Sequence, residues 1–86
     1  MTRSAERQPM RTAVVLGGGG LGIGGGISRA LARSGHRVLV VDVDPAGARE
    51  VAVAIQTAGG ESDWRAIDVR DHDALDQAVR EWASTH

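Results

Sequence analysis

Apolar residues along the chain fall into short runs and spaced stripes that alternate, each closed by glycine, proline or an acid. Thr12 to Leu16 is a run too short for a helix and ended by glycine, which predicts a strand covered on both faces. From Ile23, apolar residues recur at Ile27, Ala30 and Leu31 with Arg29 and Arg33 on the outer face, and Gly35 follows where a helix cap is wanted. Val38 to Val41 is unbroken aliphatic sequence ending at Asp42, the pattern of a parallel strand. Asp44-Pro45 then supplies a capping acceptor followed by proline at the first helical position, where its missing N–H costs nothing. Val51, Ala52 and Ile55 share one face of that helix, and Gly59-Gly60 stops it. Trp64 to Val69 is a third strand candidate interrupted by Arg65 and Asp68. Asp71 caps a last helix whose apolar face is Leu75, Ala78, Val79 and Trp82.

The order βαβαβα predicts an α/β fold: a parallel sheet of strand order 3-2-1, layered between helices. It is a three-layer, Rossmann-type half-fold, the first mononucleotide-binding half of a doubly wound domain, with the helix that would lead to a fourth strand. Residues 1–11 read as a disordered tail and residues 12–86 as the partial domain. Without a fourth strand, the first lies at an edge, with no charge or proline between Thr12 and Leu16 to discourage pairing with another chain. The apolar face of the last helix is expected to be partly exposed, so self-association or a missing C-terminal half is the partner this reading calls for.

Composition narrows the chemistry. Eighty-six residues bury only about 60–65% of the unfolded surface, and without Phe or Tyr the core is filled by Val, Leu, Ile and Ala. The net charge is −1 and all ten basic residues are arginines, scattered from Arg3 to Arg80 rather than gathered, which argues against nucleic-acid binding. Absence of Cys excludes a disulfide framework, a thiolate metal site and a Cys nucleophile, and fits a reducing cytoplasm. Met1 to Arg11 has no apolar core, so it reads as neither signal peptide nor membrane anchor. Asp71-His72-Asp73 is no metal site, because adjacent residues diverge on a helix, while His36 falls in a turn and His86 at the terminus. Trp64 and Trp82 are packing residues rather than a base-stacking platform.

Between positions 17 and 26 stand eight glycines, directly after the first strand and before a helix. A pyrophosphate needs backbone N–H groups at close range, and residues without a β-carbon allow that approach. Spacing alone does not choose the register, but an acid at the tip of the second strand, Asp42, lies where a ribose diol would donate to it. A P-loop is excluded, since the chain has no lysine to reach the phosphates. Gly25 and Gly26 cost the following helix roughly 1–2 kcal/mol relative to alanine.

Gly18-Gly19-Gly20-Leu21-Gly22-Ile23-Gly24 resembles the GxxxGIG turn of the short-chain dehydrogenases/reductases. The resemblance continues through Ile27, Ala30 to Arg33, Gly35, Val38 to Asp42, Gly59-Gly60 and Asp68-Val69, covering nearly everything after Arg11. It implies that Gly18, Gly20, Leu21, Gly22, Ile23 and Gly24 wrap the cofactor pyrophosphate. It further implies that Asp42, followed by Val43, holds the adenosine ribose, that Asp68 meets the adenine amino group and that Val69 closes on the ring. Two departures stand out. Gly17 replaces the family's usual Thr, and the family's catalytic Asn, Ser, Tyr and Lys would all fall beyond His86 in a chain that has no Tyr, Lys or Asn. The expectation is therefore an NAD-binding N-terminal segment, preferring NAD to NADP, of an oxidoreductase that transfers hydride only when complete. The alternatives are a stand-alone dinucleotide-binding module and an inactive remnant.

Overall fold

The computed structural model describes residues 11–17 and 23–84. Six elements alternate through them: β1 (Arg11–Leu16), α1 (Ile23–Arg33), β2 (His36–Asp42), α2 (Pro45–Thr57), β3 (Ser62–Ala66) and α3 (His72–Ser84). The strands form one parallel sheet in the order β1-β2-β3, as the alternation required. β2 is the middle strand, and it explains the unbroken aliphatic run. Its side chains alternate between two covered faces. Val38 and Val40 join Val15 and the α2 residues Ala48, Val51, Ala52 and Ile55, with Leu31 and Ala32 of α1 packed alongside. Leu39 and Val41 meet Ala78 and Trp82 of α3 on the other side. The result is α1 and α2 on one face and α3 on the opposite face.

Local chemistry sets the element boundaries. Asp44 caps α2 by accepting the Ala46 N–H at 3.1 Å, with Pro45 at the first helical position. Asp71 does the same for α3, accepting the Ala74 N–H at 3.2 Å. β1 begins at Arg11, one residue earlier than the sequence reading, paired with His36. His36 thus opens β2 rather than sitting in a turn. β3 runs from Ser62 to Ala66 and stops short of Val69, because Asp68 closes a turn in which its carbonyl accepts the Asp71 N–H at 2.8 Å. At the other end of the sheet, the buried Arg37 donates to Thr12 Oγ1 across the β1–β2 pair.

Two expectations about helix faces are corrected. In α1, Ile27 is 48% exposed and Ala30 is also exposed, while Gly25 and Ser28 are buried. The Ser28 hydroxyl donates to the Gly24 carbonyl at 3.0 Å, so it enters the interior already hydrogen-bonded and brings the small side of the helix to the sheet. Arg29 is half-buried rather than on the outer face; Arg33 is exposed. In α3, Ala78 and Trp82 are buried and Leu75 is half-buried, so the expected apolar patch shrinks to Val79. The middle strand lies under α3 and covers its face. β1 pairs with β2 alone among the described residues, which leaves it the edge strand the sequence indicated.

Among the described residues Leu39 is the largest fully buried side chain, and a Leu→Ala change at such a site costs about 2–5 kcal/mol. Leu39→Ala is therefore expected to lower the urea midpoint sharply or unfold the chain. Val53→Ala, at a position 44% exposed, is expected to cost far less. Equal losses in urea titrations followed by circular dichroism would show that the middle strand is not the core.

Candidate functional site

Because the three strands are parallel, their carboxyl ends emerge on one side of the sheet. Hydrogen bonds beyond the strand ends hold those tips in a row. The Gly17 N–H donates to the Val41 carbonyl at 2.7 Å, and the Ile67 N–H donates to the Asp42 carbonyl at 3.0 Å. Gly17 has φ +70°, a left-handed conformation in which a β-branched residue is strained. The glycine that replaces the family's usual Thr is thus suited to the turn the chain makes there.

At the tip of β2, Asp42 Oδ1 accepts the Asp44 N–H at 3.1 Å, which fixes the carboxylate beside the strand end. Asp68 follows β3 and is held more firmly. Its Oδ1 accepts the backbone N–H of Arg70 at 2.9 Å, and the guanidinium reaches both oxygens: Nε at 3.1 and 3.2 Å, Nη2 at 2.7 Å. The Arg70 side chain, followed by its backbone N–H, holds the Asp68 carboxyl below the ordinary aspartate range against a small opposing effect of desolvation. The guanidinium of Arg70 is pushed up in turn by Asp68.

These groups border one cavity of about 370 Å³, lined by Gly17, Asp42, Val43, Ile67, Asp68, Val69 and Arg70. Four of the residues singled out from sequence, Asp42, Val43, Asp68 and Val69, are brought together here. Ile23 and Gly24 open α1. Gly18, Gly20, Leu21 and Gly22 lie outside the described residues. Gly17, Ile67 and Arg70 were not chosen from the sequence as site residues. The signal for Arg70 was the Asp-x-Arg spacing in a turn-forming stretch. A smaller hollow of about 150 Å³ lies between α1 and α2, lined by residues such as Ala32, Arg33 and Ile55. It also touches Gly60, just before β3, and so opens at the other end of the sheet, away from the two carboxylates. Among the described residues no group of three metal-ligating side chains converges, and no helix is long and apolar enough to cross a membrane.

A parallel sheet layered between helices, with a hollow and two acids at the carboxyl ends of its strands, defines a Rossmann-like nucleotide-binding half-domain. The profile of the short chain dehydrogenase family matches residues 11–86, and the chain belongs to that family of oxidoreductases. Among solved structures it is similar to a metagenomic short-chain oxidoreductase in complex with NADP, at 34% identity over 88% of this chain and 34% of that one, TM-score 0.78. A doubly substituted variant of a Serratia marcescens short-chain dehydrogenase/reductase matches at 37% identity over 90% and 31%, TM-score 0.79. A citronellol catabolism dehydrogenase of Pseudomonas aeruginosa matches at 31% identity over 86% and 32%, TM-score 0.74. The chain spans about one third of the length of these relatives.

The Asp68–Arg70 pair has a direct signature. With its folded-state pKa below the ordinary 3.8, Asp68 stays ionised at and above that pH, and the stability it contributes is lost as pH falls below 3.8. Carboxyl chemical shifts are expected to titrate below 3.8 in the native chain and to move up toward it in Arg70→Gln. An unchanged midpoint in the variant would show that the guanidinium does not hold the carboxylate.

Proposed function

We propose that this chain is the dinucleotide-binding N-terminal half of a short-chain dehydrogenase/reductase, that it takes NAD in preference to NADP, and that it binds without turning over alone. The observation that carries the reading is the meeting of Asp42 and Asp68 at one cavity beside Gly17. A ribose diol offers two O–H donors and an adenine amino group offers N–H donors. Carboxylates at the tips of adjacent strands suit both. Gly18 to Gly24 would hold the pyrophosphate, with Ile23 and Gly24 supplying the start of α1, where backbone N–H groups lack partners within the helix. The cofactor, when bound, supplies the hydride chemistry. The general acid/base for it belongs to the family's Tyr and Lys, residue types this chain lacks.

The preference for NAD follows from charge. A 2′-phosphate beside Asp42 sets like charges about 4 Å apart, a cost of roughly 4 kcal/mol at an effective dielectric of 20 and less where solvent screens it. Val43, next to Asp42, offers no cation to offset that charge. Calorimetric titration is expected to give tighter binding of NAD than of NADP, with the difference narrowed by Asp42→Ala. The same preparation with NAD and a panel of secondary alcohols is expected to form no NADH beyond a protein-free control. Equal affinities for the two cofactors, or steady turnover abolished by a point change within the chain, would contradict the proposal.

The edge strand supplies the partner reading. The open side of β1, where Leu16 is 51% exposed, suits a strand from the remainder of a complete protein or, in its absence, from a second copy. Sedimentation over a concentration series is expected to show self-association of the chain alone, reduced by Val14→Lys. A monomer at every concentration, with the Val14 and Val15 amides protected from exchange, would contradict it.

A further inference from the structure

Asp68 is the acceptor on which the adenine reading depends, yet its carboxylate is already occupied. An ionised carboxylate has about four lone-pair positions. Arg70 brings three N–H donors to Asp68: its backbone N–H on Oδ1, Nη2 on Oδ2, and Nε shared between the two oxygens. A purine amino group approaching Asp68 therefore meets a carboxylate with a cation already seated across both oxygens. That cation is poorly anchored. The Arg70 side chain is 88% exposed, and its hydrogen bonds among the described residues go to Asp68. An exposed ion pair of this kind is cheap to open.

We propose that Arg70 is a specificity-determining competitor at the adenine subsite: it occupies the Asp68 carboxylate in the empty cavity, and an incoming adenine amino group must displace it. The inference rests on the reading of Asp68 as the adenine acceptor. Its chemical consequence concerns the 6-position of the purine. A 6-amino group donates, competes with Arg70, and gains Asp68 only when the guanidinium swings away. A 6-carbonyl, as in hypoxanthine, accepts. Left with Arg70 in place it meets a donor, and with Arg70 removed it meets a bare carboxylate. Arg70 thus blunts the discrimination between amino and oxo purines that Asp68 alone would enforce. Arg70 stands in an exposed turn after β3, so opening the pair needs no rearrangement of the sheet.

The test is the affinity of the full 86-residue chain for NAD and for nicotinamide hypoxanthine dinucleotide, in the native sequence and in Arg70→Ala and Arg70→Gln. Both variants keep the backbone N–H that holds Asp68 Oδ1, and the exposure of the side chain makes loss of folding an unneeded explanation once circular dichroism matches. Each variant is expected to bind NAD about two- to fivefold tighter, the range an exposed ion pair spans. Neither is expected to bind the hypoxanthine dinucleotide more tightly, so the ratio of the two affinities rises. An unchanged ratio, or equal weakening toward both ligands, would overturn the role of Arg70 while leaving the binding reading intact. Failure of all three proteins to bind either dinucleotide would overturn the binding reading itself and this inference with it.

Discussion

The burial of the middle strand on both faces is the constraint on which the rest depends. Val38, Val40 and Val41 have no exposed surface and Leu39 has 1%, in a chain without Phe or Tyr to supply larger apolar areas. Each side chain of that run must find a helix, so α1 and α2 close one face and α3 the other. A parallel arrangement follows, because each strand returns through a helix, and parallel strands deliver their carboxyl ends to one side. Function is placed by that geometry before any site residue is considered.

What the strand tips carry then decides the chemistry. Aliphatic sequence stops at Asp42, whose carboxylate is fixed by the Asp44 N–H, and at the turn after β3, where Asp68 is held by Arg70. Asp42 accepts a backbone N–H, whereas Asp68 accepts a backbone N–H and an exposed guanidinium. In the proposed function the first sets a charge beside the ribose, and the second is an acceptor that Arg70 covers.

Much of this was legible in the sequence because local signals and long-range packing agree. Asp44-Pro45, Asp71 and the Val38 to Val41 run each announce an element, and the structure places all three where those signals fall. The face of α1 was misjudged at Ile27 and Ala30, since periodicity counts apolar residues and gives no credit to a serine that satisfies its own hydroxyl within the helix. The exposed patch foreseen on α3 was misjudged for the opposite reason: Trp82 reaches the middle strand, a contact between residues 43 positions from Leu39 that no local pattern encodes. Asp42 was read from its place at the tip of the second strand, Val43, Asp68 and Val69 through the family resemblance, and the structure adds that all four share one cavity. Arg70 escaped because the Asp-x-Arg spacing that signals it is short and common in turns, and only the folded geometry shows its guanidinium across both Asp68 oxygens.

The central claim is that the three strand tips form one dinucleotide-binding surface. Amide chemical-shift mapping during an NAD titration tests it most directly. The account predicts perturbations concentrated at Gly17, Asp42, Val43, Asp68 and Val69, with Ala32, Ile55 and Gly60 at the opposite end of the sheet unmoved. Perturbations gathered in that α1–α2 hollow instead, with the strand tips silent, would contradict it.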